Sequence, residues 1–418
     1  MNRTSFTVLL IIAACASHAT GQNCSGTSVG LKPLTELGSQ LHQGSEGGLY
    51  PQGLNERPWS HDSSGRALAG QVKPLSAAGI GDALDGKIVL LSIGMSNATQ
   101  EFSTFKGLAD PDPMKNPQLV IIDGAQGGQT ASIIADPSAN FWGVIDQRLT
   151  TAGVTREQVQ VAWVKEANAN PTQPFPSHTL TLQGHLESIA RILKSRYPNI
   201  KLAYWSSRTY AGYARTTLNP EPYAYESGFA VKWLIAKQIE GDTSLVYEGF
   251  NARAPWLAWG PYLWADGTVP RMDGLSWECS DFQSDGTHPS TSGRQKVANQ
   301  LLTFFKTDPT TVPWFLKPTV LSAGETNDAE TKTFVLQQNF PNPFNPGTNI
   351  HFHIARPARA RVAVYDVLGK EVALLLERDL EAGFHQVFFD ASLLPSGAYW
   401  YRLTAGSASA TKPMILAR

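Results

Sequence analysis

Short apolar runs recur through the first part of the chain, and longer stretches with helical periodicity separate them. Each run is short and mostly apolar, as is typical of buried strands: Lys87–Ile93, Leu119–Ile122, Gln158–Val164 and Lys201–Trp205. Apolar residues at helical spacing predict helices between and after them: Phe141–Leu149, Thr179–Tyr197 and Tyr223–Ile239. Strands that alternate with helices form crossover units, so the pattern predicts an α/β fold with a parallel sheet covered on both faces.

The segments on either side of this alternation have their own patterns. Residues 22–86 are rich in Gly, Ser and Pro without a strong period, which predicts an irregular segment wrapped around the sheet. A last helix is predicted after Ser292, where Ser292 and Gln295 have the spacing of a capping box. Its buried face would consist of Val297, Leu301 and Phe304.

From Phe334 the pattern changes to short alternating runs separated by Gly, Pro and Asn. The predicted strands are Asn349–Ile354, Arg361–Tyr365, Glu371–Leu376, Gln386–Phe389 and Tyr399–Thr404. Such a pattern predicts a small all-β sandwich. We therefore expect an α/β domain over residues 22–316, a small, polar and acidic linker over 317–333 and a β-sandwich over 334–418.

The N-terminus has the features of a signal peptide over residues 1–21. Asn2-Arg3 is followed by an apolar stretch, Phe6–Ala14, and by small residues around Ala19. An alternative is a lipoprotein signal that ends at Cys15. No later run reaches the length of about 20 apolar residues that a membrane span requires. We therefore expect an exported protein without a transmembrane segment.

Charge and cysteine content narrow the functional classes. The formal net charge of -1 gives no electrostatic basis for binding nucleic acid or anionic membrane surfaces. Cys24 and Cys279 remain after the signal segment, and they either pair in an oxidising compartment or are two unrelated thiols. No metal-ligand spacing, phosphate-binding loop or dinucleotide fingerprint is present, so no cofactor is expected.

Candidate chemistry begins at Ser96, which follows the first buried strand in the stretch Gly94-Met95-Ser96-Asn97. A serine at the carboxyl end of a strand can act as a nucleophile only if a base reaches it. His288 follows Asp285 by three residues just before the last predicted helix, so Asp285 could orient the imidazole of His288. In isolation, this Asp-x-x-His spacing is more typical of a capped helix start with a surface histidine.

Donors for an oxyanion are available after the next two strands. Gly127 and Gly128 follow the second strand, and glycine lets backbone N–H groups approach a ligand closely. Asn168 follows the third strand and carries a neutral amide donor. Each stretch alone is typical of a plain turn, but their joint occurrence at successive sheet-edge positions favours an acyl-transfer site.

Over residues 87–305 these four blocks resemble the SGNH hydrolase superfamily, the GDSL-like esterases. The resemblance implies a flavodoxin-like three-layer α/β/α fold. It also implies a Ser96–His288–Asp285 triad and an oxyanion hole formed by Ser96, Gly127 and Asn168.

Two departures from the family pattern bear on the substrate and on the oxyanion hole. Gly94-Met95-Ser96-Asn97 is closer to the Gly-Gln-Ser-Asn block of sialate O-acetylesterase-like and acetylxylan-esterase-like branches than to Gly-Asp-Ser. The third block, Lys165-Glu166-Ala167-Asn168, is only loosely similar, which leaves Asn168 and Asn170 as alternatives and a role for Glu166 open. Gly128 is likewise an alternative to Gly127.

Aromatic residues crowd the stretch before the Asp-x-x-His motif: Trp256, Trp259, Tyr262 and Trp264. Their rings could stack on sugars, and on this basis Trp256, Trp259 and Trp264 are the candidate substrate-binding residues. The alternative interpretation is that they anchor a packed loop.

The C-terminal stretch resembles the type A C-terminal sorting domain of the type IX secretion system. The matching motifs run in order from Asn339-Phe340-Pro341-Asn342-Pro343 through Tyr365-Asp366-Val367-Leu368-Gly369-Lys370 to Leu394-Pro395-Ser396-Gly397-Ala398-Tyr399. The resemblance implies that residues 334–418 engage the secretion machinery and that the protein is secreted or attached to the cell surface. It argues against lipidation of Cys15, because the two addresses compete. A carbohydrate-binding β-sandwich is the alternative.

Together these features predict a secreted serine esterase whose substrate is an ester, in particular an acetylated glycan. The alternatives are a lipase-like or general carboxylesterase and a catalytically inactive carbohydrate-binding surface protein.

Overall fold

The structure is a computed structural model that describes residues 22–317, 334–336, 338–339, 342–354, 356–406 and 408–417. The predicted signal peptide, with Cys15, and the predicted linker from residue 318 onward lie outside the described residues. The chain divides into two compact units, residues 1–319 and 320–418.

The N-terminal segment contains more regular structure than its composition predicts. It forms α1 (Leu34–Leu37), a short hairpin of β1 (Leu41–His42) and β2 (Ser45–Glu46), a 3-10 turn (Pro51–Gly53) and α2 (Trp59–Ala69). The prediction of an irregular segment was therefore wrong for α2, whose Ser and Gly residues have low helix propensity. Tertiary packing stabilises this helix, since a Cβ at Gly65 would lie 2.2 Å from the Trp256 ring.

A five-stranded parallel sheet forms the core of this unit. Its strands are β3 (Ile88–Gly94), β4 (Leu119–Ile122), β5 (Val159–Lys165), β6 (Leu202–Ser206) and β7 (Trp256–Trp259), in the order β4-β3-β5-β6-β7. Every residue of β3 and β5 is buried, which requires cover on both faces of the sheet and explains their continuous apolar runs. The order reverses between β3 and β5, and in such sheets this position is where ligands bind.

Helices connect and follow these strands. They are α3 (Ser96–Ala109), α4 (Ala131–Ile134), α5 (Asn140–Thr151), α6 (Ser177–Arg196), α7 (Tyr223–Ile239), α8 (Thr291–Thr307) and α9 (Val312–Phe315), with 3-10 turns at Arg156–Gln158, Thr243–Leu245 and Cys279–Asp281. Helix α3 packs against α8, and α6 packs against α7. The four strands and the helices predicted from periodicity all form, within three residues of the predicted bounds.

Three local predictions require correction. The aromatic stretch begins with β7, an edge strand that the sequence analysis treated as a loop. Helix α8 is capped by Ser290, whose side chain accepts from the N–H of Gly293, and not by Ser292. Phe305 rather than Phe304 completes its buried face, at a spacing of four residues from Leu301, while Phe304 is partly buried.

The disulfide left open by the sequence is formed between Cys24 and Cys279. It joins the N-terminal segment to the 3-10 turn Cys279–Asp281, shortly before Asp285. Disulfides of this kind are typical of proteins that fold outside the cytosol.

The second unit is all-β. Strands β11 (Glu371–Leu380), β10 (Ala358–Tyr365), β13 (Gly397–Ala405) and β14 (Ala408–Leu416) form one antiparallel sheet, and β12 (Gly383–Asp390), β9 (Gly347–Ile354) and β8 (Phe334–Leu336) form another. Alternate residues of β9 are buried, and they share one core with β10 and β13. Five of these strands were predicted from the sequence, whereas β8 and β14 were not.

Candidate active site

Ser96 lies at the turn between β3 and α3. The apolar strand β3 ends at Gly94, where a Cβ would lie 2.3 Å from the Cβ of Ala98 and 2.7 Å from the carbonyl oxygen of Lys165. Only glycine fits this close approach, so the chain turns sharply and Ser96 becomes the first residue of the 14-residue helix α3. The N-terminus of a helix favours negative charge, and it therefore suits a group that becomes anionic.

The His288 segment is folded by its own backbone. The N–H of Gln283 donates to the carbonyl oxygen of His288 at 2.8 Å, and Gly286 has a φ of 66°. A Cβ at Gly286 would lie 2.0 Å from the carbonyl oxygen of Tyr213, so glycine is required there. This tight turn brings the side chains of Asp285 and His288 to the same side.

A hydrogen-bonded chain links the three predicted triad residues. Oδ2 of Asp285 lies 2.5 Å from Nδ1 of His288, and Nε2 of His288 lies 2.8 Å from Oγ of Ser96. Oδ1 of Asp285 accepts from the backbone N–H groups of Thr287 and His288, both at 2.9 Å. The structure therefore brings together three residues that are up to 192 positions apart in sequence.

The pKa of Asp285 fixes the direction of the hydrogen bonds. Burial raises this pKa, but hydrogen bonds from the His288 side chain and from two backbone N–H groups lower it by more. The pKa of Asp285 therefore lies below its usual range. Asp285 is therefore a carboxylate at neutral pH and can only accept. Nδ1 of His288 then carries the proton, and Nε2 accepts the hydroxyl hydrogen of Ser96.

A second contact holds the two loops together. Nδ2 of Asn97 donates to the carbonyl oxygen of Thr287 at 2.8 Å, and both residues are buried. Asn97 thus ties the first turn of α3 to the Asp285–His288 turn. No role had been predicted for it beyond its place in the Gly94-Met95-Ser96-Asn97 block.

Ser96 opens into a cleft of about 460 Å³. Residues from several sheet-edge loops line it: Met95, Ser96, Asn97, Gly127, Gly128, Thr130, Ala169, Arg208, Leu218, Asn219, Thr287 and His288. A Cβ at Gly127 would lie 3.9 Å from that of Ser96, so the Gly127 backbone faces the serine. Gly128 lines the same cleft with a φ of 73°.

Asn168 occupies a different position from Gly127. It lines a neighbouring cleft of about 270 Å³ together with Asn170, His178 and His185. Its Oδ1 lies 2.9 Å from Nδ1 of His185 and can only accept, so His185 is the donor. Among the described residues, no hydrogen bond is made by Nδ2 of Asn168.

Asn170 is fixed by a partner outside its own loop. Its Oδ1 accepts from Oγ1 of Thr217 at 2.7 Å, and its φ is 50°. Asn219 lines both clefts. Nδ2 of Asn219 donates to the Asn168 carbonyl at 3.4 Å, while its Oδ1 is buried without a partner among the described residues.

Lys165 and Glu166, at the end of β5, are buried ionisable residues. Nζ of Lys165 pairs with both carboxylate oxygens of Glu101 at 2.6 Å. Burial lowers the pKa of Lys165 to about 8 and raises the pKa of Glu166 well above its usual value. Oε1 of Glu166 has no partner among the described residues, and the sequence left its role open.

The aromatic candidates do not reach the cleft. Trp256 and Trp264 are fully buried, and Trp259 is 3% exposed. Their indole nitrogens donate to the carbonyl oxygens of His61 and Leu49 and to Glu221. These rings therefore present no face to a sugar, and their burial fits the alternative of packed anchors.

Comparison with known protein families identifies the second unit. Residues 338–417 match the family described as the secretion system C-terminal sorting domain. The C-terminal unit is a secretion sorting domain. It directs export across the outer membrane by the type IX system, to the cell surface or to the medium. Within the described residues no helix is long and apolar enough to cross a membrane.

The chain has distant structural neighbours. LAE5, an α/β hydrolase enzyme from the metagenome of Lake Arreo, Spain, is 14% identical, with a TM-score of 0.31 over 54% of this chain and 96% of that chain. The periplasmic domain of a lipopolysaccharide acetyltransferase of Salmonella ser. Paratyphi A is 13% identical, with a TM-score of 0.30 over 59% of this chain and 95% of that chain. A comparison with curated proteins finds no match. At these TM-scores the likeness supports no assignment of function.

Proposed function

We propose that the protein is an exported serine esterase with an SGNH-type, flavodoxin-like α/β domain. The carrying observation is the chain from Ser96 Oγ through His288 to Asp285, with separations of 2.8 and 2.5 Å. A serine hydrogen-bonded to a histidine that a carboxylate orients is the arrangement of an activated acyl-transfer nucleophile.

The proposed reaction has two halves. Ser96 Oγ attacks the ester carbonyl carbon while Nε2 of His288 takes the hydroxyl proton. His288 then gives this proton to the departing alkoxide, which leaves as an alcohol. The acyl group remains on Ser96 as an acyl-enzyme intermediate. In the second half, water attacks the acyl group, gives a proton to His288 and releases the carboxylic acid, and the proton returns to Ser96.

The oxyanion of each tetrahedral intermediate requires donors that are already in place. The candidates are the backbone N–H groups of Ser96 and Gly127 and Nδ2 of Asn168. The contact between His185 and Oδ1 of Asn168 supports this assignment, because it leaves Nδ2 as the free donor of that amide. Burial lowers the pKa of His185, which keeps a single ring proton for this contact.

The proposed substrate is an O-acetyl ester on a polysaccharide. The support is the resemblance of the Gly94-Met95-Ser96-Asn97 block to carbohydrate esterases, together with the export domain. The cleft of about 460 Å³ lies at the lower end of the range for small-molecule sites, which favours a short acyl group.

Acetate release tests this proposal. The full-length protein, incubated with acetylated glycans and with aryl acetate, butyrate and octanoate esters, should release acetate and prefer the shortest aryl ester. Ser96→Ala should lower kcat by about 10⁴-fold or more with an unchanged melting temperature. Undiminished turnover by this variant would refute the nucleophile, and a preference for octanoate would favour a lipase-like enzyme instead.

A further inference from the structure

Arg208 is a buried cation that the proposed reaction does not use. It follows β6 by two residues, is 4% exposed and lines the same cleft as Ser96 and His288. Its Nε is buried without a hydrogen-bond partner, and within the described ranges no residue forms a hydrogen bond or an ion pair with its guanidinium group.

The other arginine that is buried among the described residues of this unit has the partners that Arg208 lacks. Arg271 is 7% exposed, and its Nη1 donates to the carbonyl oxygens of Tyr262 and Trp264 at 2.7 and 3.0 Å. It also forms an ion pair with Asp273. Burying a guanidinium without such partners is unfavourable, and an unsatisfied buried group of this kind calls for an explanation such as a ligand.

None of the neighbouring acids forms a hydrogen bond or an ion pair with Arg208 among the described residues. Glu101 is occupied by Lys165 at 2.6 Å, and Glu221 accepts from Trp264 at 2.8 Å and from the N–H of Ala211 at 2.9 Å. Burial raises the pKa of Glu166 well above its usual value, which favours its uncharged form. Arg208 therefore retains its positive charge without a hydrogen-bonded or ion-paired carboxylate among the described residues.

The chemistry of a guanidinium group indicates what would compensate this charge. Its planar fork matches a carboxylate with two parallel hydrogen bonds, whereas a neutral hydroxyl or carbonyl would leave the charge unpaired. Because Ser96 and Arg208 line one cleft of about 460 Å³, the carboxylate and the ester must belong to the same small unit of the substrate.

We infer that Arg208 binds a carboxylate on the substrate, so that this enzyme selects esters that carry an acidic group close to the acyl carbon. The inference rests on the proposed esterase function. Two sources of the carboxylate share this chemistry: an acidic sugar that carries the O-acetyl group, and a dicarboxylic acyl group.

The experiment compares kcat/KM for charged and uncharged members of two matched ester pairs, with full-length protein. The sugar arm uses O-acetylated methyl glucuronoside against its carboxamide. The acyl arm uses p-nitrophenyl hemisuccinate against p-nitrophenyl butyrate. We expect the wild type to prefer the charged member of one arm by about 10- to 100-fold, mainly through KM, the range that a charge-assisted hydrogen bond supplies.

Substitution of Arg208 then assigns this preference to a residue. Arg208→Gln should bring the ratio close to one, and Arg208→Lys should give an intermediate ratio because it retains the charge but not the fork. Arg253→Gln is the matched control, since it removes an exposed arginine outside the cleft and should retain the wild-type ratio.

Several results would overturn the inference. A wild-type ratio of one or less in both arms would do so, as would an Arg208→Gln variant with the wild-type ratio. An equal loss on charged and uncharged esters would show that Arg208 acts on the oxyanion or the fold instead. If Arg208→Gln does not fold, inhibition of wild-type p-nitrophenyl acetate hydrolysis decides. Glucuronate should inhibit at least tenfold better than glucuronamide, or succinate at least tenfold better than butyrate, about the least that one charge-assisted hydrogen bond supplies. Equal inhibition within both pairs would refute the inference. Failure of the esterase proposal itself would be distinct, since no ester would then be hydrolysed by the wild type.

Discussion

The sheet edge of the first unit and the all-β second unit treat charged side chains in opposite ways. At the sheet edge, Arg208 and Glu166 are buried and retain nitrogen or oxygen atoms without partners among the described residues. In the second unit, Arg361 donates to both oxygens of Glu371 at 2.7 Å, at the surface. Burying charge costs free energy, so buried and incompletely satisfied groups mark where a fold has been adapted to a ligand or a reaction.

The two units also differ in what their sequences encode. The second unit shows regular alternation and matches a sorting family over 80 residues, from 338 to 417. The first unit places its chemistry on loops that follow separate strands of a parallel sheet. We therefore expect changes at the sheet edge to affect turnover and changes in the second unit to affect stability or export.

The largest effect is expected for Asp285→Asn. An amide in this position would favour the wrong tautomer of His288, and kcat should fall by about 10⁴-fold with little change in KM. Steady-state kinetics with an aryl acetate measures this. Asp242→Asn is the matched control, because Asp242 caps a 3-10 turn outside the cleft. Equal activity of the two variants would remove Asp285 from the mechanism.

In the second unit, Phe352→Ala should lower stability without lowering turnover. Phe352 is fully buried in the shared core of the two sheets, and removing such a ring costs about 3–5 kcal/mol. Calorimetry of the full-length protein should show an earlier transition for this unit, while kcat stays within about twofold of wild type because no cleft contact changes. Phe388→Ala, at a position that is 63% exposed, should shift the transition little. A parallel loss of activity in Phe352→Ala would break the proposed separation of roles.

The pH dependence of stability should differ in sign between buried and exposed acids. Burial raises the pKa of Glu221 to about 7. Between the unfolded value of about 4.3 and about 7, the folded state binds more protons at Glu221 than the unfolded state does. The free energy of unfolding therefore falls as pH rises through this window, by up to about 4 kcal/mol, and Glu221→Gln should remove this contribution.

Glu371 is the matched comparison in the second unit. Its hydrogen bonds with Arg361 lower its pKa, so its contribution is present above the usual glutamate pKa and is lost as pH falls below it. Urea unfolding of wild type, Glu221→Gln and Glu371→Gln, from below the usual glutamate pKa up to about pH 7, measures both signs. The same slope in wild type and Glu221→Gln would contradict the raised pKa.

The smallest effect concerns the oxyanion hole. Asn168→Ala should lower kcat by about 10²-fold if its Nδ2 is the third donor. Asn219→Ala is the control, because Asn219 lines the Ser96 cleft but donates to the Asn168 carbonyl at 3.4 Å. Kinetics of both variants with one aryl acetate decides between them. A large loss confined to Asn219→Ala would transfer the donor role to that residue.

Much of the fold could be predicted because buried parallel strands and amphipathic helices leave local patterns. Tyr223–Ile239 was predicted with the observed bounds, and Leu119–Ile122 likewise. The edge strand Trp256–Trp259 was missed because its four buried residues, three of them large, carry neither alternation nor β-branched residues. Helix α2 was missed because packing, rather than propensity, stabilises it.

The residues of the candidate site also differ in whether the sequence alone could identify them. Ser96, Gly127 and the Asp285–His288 pair carry local signals, since each lies beside a glycine that its turn requires: Gly94, Gly128 and Gly286. Arg208 and Asn219 carry none, because their importance depends on which loops meet at the sheet edge. A polar residue two positions after a buried strand is the only sequence signal that could have identified Arg208.

The central claim is that Ser96 is an activated nucleophile, and covalent labelling tests it most directly. Full-length wild-type protein, incubated with an aryl fluorophosphonate and digested, should show a single phosphonyl adduct on the peptide that contains Ser96, formed in step with loss of esterase activity. His288→Ala should label far more slowly, and Ser96→Ala should not label. Esterase activity that survives without an adduct at Ser96, or an adduct on another serine that accounts for the inactivation, would contradict the claim.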